Sequence, residues 1–145
     1  CQGGNMAGWS LYLDEESRPV YLYNYFGRVL TYVRGQMPVA SGRHRLTVVY
    51  EHDGGFGTGG LAHLLVNGEE VSRERINATV PVIFSMSGET FDIGRDTGAP
   101  VGPYEHQFPF SGDIESVTLE RLNQPDSATA KLERQGQFKA SLSSQ

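Results

Sequence analysis

The chain has 145 residues, 12 Lys and Arg against 17 Asp and Glu for a net charge of −5, and 38% hydrophobic, 10% aromatic and 20% charged residues. That length supports one compact domain and is short for two. No apolar run approaches the ~18 residues of a bilayer-spanning helix. The acidic balance, with Lys131 and Lys139 as the only lysines, argues against nucleic acid as a partner. A single cysteine, Cys1, excludes an internal disulfide and a Cys-rich zinc site.

Eighteen glycines and seven prolines break the chain into short pieces that alternate apolar and polar residues, the period of β-strands. The first piece, 9–13, puts Trp9, Leu11 and Leu13 on one face. In the next, 20–26, Val20, Leu22 and Phe26 share one face and Tyr21, Tyr23 and Tyr25 the other. Strands follow at 29–33 and 44–51. Segments 61–66 and 70–76 are joined by Asn67-Gly68, which suits a type I′ hairpin because both central residues take positive φ. Shorter pieces at 82–84, 91–94 and 114–122 complete the series. Many short strands separated by turns predict an all-β sandwich or barrel of antiparallel sheets spanning 1–122. Beyond Leu122 the composition changes. Pro125-Asp126-Ser127 suits a helix start and helix formers fill 128–140, so 123–145 reads as a C-terminal tail, short helix or frayed.

Residues with chemical potential are scattered. Gly55-Phe56-Gly57-Thr58-Gly59-Gly60 matches the spacing of a dinucleotide fingerprint, but the strand-and-hairpin reading that follows denies it the helix N-terminus such a site needs. A loop explains the glycines, with Phe56 as a contact residue. His52-Asp53 and His106 lie in loops and could form a composite site, although no hydrolase or zinc-hydrolase signature surrounds them. Asp92 and Asp96 flank Gly94 in an oxygen-rich loop that could hold Ca²⁺; the alternative is that both carboxylates serve turn and ion-pair contacts. The tyrosine row Tyr21, Tyr23, Tyr25 could meet a sugar or a partner surface, or pack against the opposite sheet. The acidic balance makes capture of a polyanion costly unless arginines such as Arg43, Arg45 and Arg95 cluster locally. Asn77-Ala78-Thr79 fits the N-glycosylation pattern.

Several of these segments, taken together, resemble the C-terminal region of large bacterial arylsulfatases. They are residues 8–13 (GWSLYL), 19–27 (PVYLYNYFG), 54–60 (GGFGTGG), 66–68 (VNG) and 89–101 (ETFDIGRDTGAPV), in that order and spacing. The resemblance implies a concanavalin A-like, laminin-G-type jelly roll appended to an alkaline-phosphatase-like catalytic domain. Such enzymes hydrolyse sulfate esters with a formylglycine, made from Cys or Ser in a Cys-x-Pro/Ala-x-Arg type motif, beside a divalent metal held by aspartates. Cys1 is followed by Gln2-Gly3-Gly4-Asn5 and does not fit that motif, so no catalytic residue is carried over. The resemblance therefore implies a non-catalytic accessory module whose partner is an upstream sulfatase catalytic domain. It also implies strand sequence before Cys1, and hence a sheet edge that a second copy or an upstream peptide would fill. A carbohydrate-binding module directed at a sulfated glycan is the alternative function.

Overall fold

The structure, a computed structural model, describes residues 1–81, 91–105 and 107–121. The expected strand at 82–84, the tail at 123–145 and His106 lie outside the described residues. The chain divides into two units, Cys1–Ile114 and Glu115–Gln145. Of the second, residues 115–121 are described; they are exposed and form no strand.

The first unit is all-β. Its strands are β1 (Gln2–Gly4), β2 (Ala7–Leu13), β3 (Pro19–Tyr25), β4 (Val29–Arg34), β5 (Leu46–His52), β6 (Thr58–Val66) and β7 (Glu69–Ala78). They form a four-stranded sheet in the order β1-β2-β3-β4 and a three-stranded sheet in the order β5-β6-β7, every neighbouring pair antiparallel. Both sheets are meanders, because short glycine-bearing connections suit adjacent antiparallel strands. At the β6–β7 turn Asn67 and Gly68 have φ of 53° and 87°, the positive values that a type I′ turn demands.

The two sheets face each other as a sandwich. Tyr21, Tyr23 and Val33 of the first sheet cluster with Ala62, Leu64 and Ile76 of the second, and Trp9, Leu11, Val48, Tyr50 and Val71 pack around them. Strand pairing explains the set: Leu11 lies opposite Tyr21, which lies opposite Val33, and residues directly across a sheet share a face. Each fully buried aliphatic side chain, such as Leu64 or Ile76, contributes about 1.5–3 kcal/mol.

The other face of β3 is buried as well. Val20 and Leu22 are 0% exposed and Asn24 is 2% exposed, and the described residues of segment 91–108 fold across them. Asn24 Nδ2 donates to the Val101 carbonyl at 2.8 Å. A Cβ at Gly102 would overlap Leu22 Cδ2. The rings of Tyr104 and Phe108 lie 5.3 and 5.8 Å from that of Tyr12. The first sheet is thus a middle layer, with a sheet on one side and an irregular segment on the other.

One strand was not expected and two strand expectations need correction. β1 has no hydrophobic alternation, yet it pairs with β2 across Gln2 and Trp9, and Phe91 bridges its other side. The expected strand at 91–94 is reduced to that single bridge, because the chain turns at Gly94, whose φ is 83°. The expected strand at 114–122 is absent over its described residues, which are exposed throughout. Ile114, Val117 and Leu119 carry β-propensity, but propensity by itself does not make a strand.

Candidate functional site

The tyrosine row is not a surface. Tyr21 and Tyr23 are 7% and 5% exposed and lie in the inter-sheet core, which removes them as ligand contacts. Burial drives the phenol pKa of both above its ordinary value. The Tyr23 hydroxyl accepts a bond from Val80 N at 2.9 Å, the partner a buried phenol needs. Tyr25 is half-buried, edge-on to Phe26 at 4.8 Å. Tyr50, in the same core, has a buried hydroxyl without a hydrogen-bond partner among the described residues, and burial pushes its pKa up to about 12.

Phe56 is 53% exposed, in the loop between β5 and β6, and Arg95 is exposed on segment 91–108. No described contact brings the two together. The glycine-rich loop leads directly into β6, with no helix after it. Gly60 faces Tyr50, whose hydroxyl would lie 2.7 Å from an added Cβ, so this glycine serves close packing. His52 Nδ1 accepts from Gly54 N at 3.0 Å, while Asp53 is held bidentately by Arg75. The Asp53 carboxylate is therefore engaged with arginine. On the outer face of the second sheet, His63 Nδ1 lies 2.6 Å from a Glu70 carboxylate oxygen and its Nε2 lies 3.8 Å from Glu51.

The aspartate loop gathers more chemistry than either region. Asp92 Oδ2 accepts from Thr97 N at 2.7 Å and from Thr97 Oγ1 at 2.8 Å. The backbone bond above all, helped by the hydroxyl and by nearby positive charge, holds the Asp92 carboxyl below the usual carboxylate range against the opposing effect of burial. Asp96 is 4% exposed. Its Oδ2 accepts from Val101 N at 3.1 Å and from the Tyr104 hydroxyl at 2.7 Å. Burial first, and then that bond to Asp96, raise the Tyr104 pKa.

The structure adds two residues to this loop. Cys1 Sγ and one carboxylate oxygen from each of Asp92 and Asp96 lie within 4.8 Å of one another. Ser10, 3% exposed, lies within hydrogen-bonding reach of Tyr104. Spacing could flag Asp92 and Asp96 as a pair, but Cys1 is 91 positions from Asp92 and only strand pairing joins them. The thiol also alters the chemistry, because a soft sulfur donor is foreign to the oxygen-only shell of Ca²⁺. No protein-family model matches this chain, and neither does any curated protein or solved structure.

Proposed function

We propose that the chain is a non-catalytic β-sandwich accessory module of a bacterial arylsulfatase, and that it contacts an upstream catalytic domain which hydrolyses sulfate esters. The observation that carries this reading is the use to which the resembling segments are put. Asn24, from the 19–27 segment, bonds to the carbonyl of Val101, from the 89–101 segment. Asp96 of the second segment bonds to the backbone of Val101 and to Tyr104. Two of the stretches that most resemble the sulfatase region are thus tied to each other in the interior, which suits a scaffold role.

The formylglycine and divalent metal of the parent enzyme belong, on this reading, to the upstream domain. The exposed Phe56 loop and Arg95 are the surface residues offered to it. An edge-to-edge dimer through the four-stranded sheet is the second contact proposed, since β1 is three residues long and stands at the end of that sheet's strand order. The glycan-binding alternative keeps Tyr25, Phe56 and Arg95 but loses Tyr21 and Tyr23 to the core.

Binding of the chain to a separately produced sulfatase catalytic domain from the same polypeptide tests the proposal. Micromolar or tighter association, weakened by Phe56→Ala or Arg95→Ala, is expected. Absence of association, together with capture of a sulfated glycan by the chain alone, would favour the alternative.

A further inference from the structure

We propose that Asn67-Gly68 is a site of self-catalysed deamidation, at which the Gly68 main-chain nitrogen displaces the Asn67 side-chain amide with the help of His44 and the Arg45 N–H. The placement follows from strand pairing. Val66, the last residue of β6, lies opposite Leu46, the first of β5, so the next residue outwards on each side, Asn67 and Arg45, also meet. Asn67 N donates to the Arg45 carbonyl at 2.8 Å, and Arg45 N donates to Asn67 Oδ1 at 2.9 Å. Because a main-chain N–H needs an acceptor, the second bond fixes which end of the side-chain amide is oxygen. The nitrogen end, Nδ2, lies 3.0 Å from His44 Nδ1. An amide nitrogen only donates, so this ring nitrogen is the acceptor.

Separate features of the turn bear on one reaction. Attack of Gly68 N on Asn67 Cγ closes a succinimide ring between neighbours already joined by the chain, so no encounter is needed. Gly68 is exposed, and nothing lies within 4 Å of the place its Cβ would take, so no side chain shields its nitrogen. The Arg45 N–H on Oδ1 polarises the amide carbonyl and meets the negative charge that develops on that oxygen, the task of an oxyanion donor. His44 stands at the leaving nitrogen, where a proton must be delivered.

In the step, Gly68 N gives its proton to solvent and bonds to Cγ. The Cγ–Nδ2 bond breaks, Nδ2 takes a proton from the His44 imidazolium and leaves as ammonia, and His44 recovers a proton from solvent. Water then opens the succinimide. Cleavage at Cγ gives aspartate, and cleavage at the Asn67 main-chain carbonyl carbon gives isoaspartate. Either product gains a negative charge and loses the donor to His44 Nδ1. Isoaspartate also routes the main chain through Cβ, which adds a methylene to a turn whose φ values are 53° and 87° and so breaks its type I′ form. The chain's other asparagines, Asn5, Asn24, Asn77 and Asn123, precede Met6, Tyr25, Ala78 and Gln124, whose side chains crowd the nitrogen that would attack.

Incubation of the full chain at neutral pH, folded in buffer and unfolded in urea, followed by peptide mass spectrometry, tests the site. The folded chain should convert Asn67 to aspartate and isoaspartate at least as fast as the unfolded chain does, with Asn5 and Asn77 unchanged over the same period. His44→Ala should slow the folded chain by about tenfold or more and leave the unfolded rate unchanged, because folding is what brings the imidazole to Nδ2. His44→Gln serves as a second variant, and circular dichroism identifies either one that fails to fold. The comparison of folded and unfolded parent needs neither. Conversion of Asn67 only when unfolded, a folded rate indifferent to His44→Ala, or equal conversion at Asn77 would each overturn the proposal.

Discussion

The side-chain amide of Asn24, at the centre of the four-stranded sheet, donates to the main-chain carbonyl of Val101 at 2.8 Å across 77 positions of sequence. The same amide nitrogen reaches Asn5 O at 3.0 Å, and Asn24 Oδ1 accepts from Gly27 N at 2.7 Å. One buried polar residue thus ties the β1–β2 turn, the β3–β4 turn and the covering segment to β3. Loss of this side chain leaves several backbone groups unpaired in the interior. Asn24→Ala should destabilise the domain by about 3 kcal/mol, since each orphaned buried group costs about 1–3 kcal/mol. Urea denaturation measures it, and a loss under about 0.5 kcal/mol would show that water replaces the amide freely.

Gly102 tests the covering segment through volume. A methyl group there meets Leu22 Cδ2, and Leu22 is fully buried. Gly102→Ala should cost about 1–3 kcal/mol, the usual range for overpacking. Leu22→Ala in the same chain should recover part of that loss. Additive effects of the two changes, measured in a double-mutant cycle, would mean that the segment does not press on Leu22.

Tyr23 separates a packing role from a binding role. Tyr23→Phe keeps the ring and removes the acceptor for Val80 N, at a cost of about 1 kcal/mol. Tyr23→Ala should cost about 3–5 kcal/mol through the cavity it leaves. Thermal unfolding with a tyrosine-independent probe reads both. Equal costs for the two substitutions would place the ring outside the core.

Asp92 gives the acid limb of stability its sign. Its folded-state pKa is depressed, chiefly by the Thr97 N–H, so the stability it contributes is present above the unfolded pKa of about 3.9. That stability is lost as the pH falls through the lower folded value. The melting temperature should therefore fall between roughly pH 4 and pH 2. Asp92→Asn should flatten this fall while lowering stability at pH 7. An unchanged pH profile in Asp92→Asn would assign the acid limb to other carboxylates.

The strands were legible where local rules suffice, and less so where distant parts of the chain meet. Alternation located β2 to β7 within a few residues, and Asn67-Gly68 marked its hairpin, because strand period and turn chemistry are local properties. The same alternation placed Tyr21, Tyr23 and Tyr25 on one face of β3 but could not say what covers each face. Both are covered, one by the second sheet and one by segment 91–108. β1 was invisible because Gln2-Gly3-Gly4 has no apolar pattern and is held by pairing alone. The described part of 114–122 shows the converse, a strand-like pattern that forms no strand. Asp92 and Asp96 were legible as a local pair. Cys1 and Ser10 were not, since only the β1–β2 register and the bridge to Phe91 carry them to that loop.

Aryl sulfate hydrolysis, assayed on this chain alone and on whatever longer polypeptide its gene encodes, tests the accessory-module reading most directly. The account predicts no turnover above the buffer rate by the chain alone, and turnover by the longer polypeptide that depends on a formylglycine outside residues 1–145. Turnover by the isolated chain, or a longer polypeptide inert towards every sulfate ester, would contradict it.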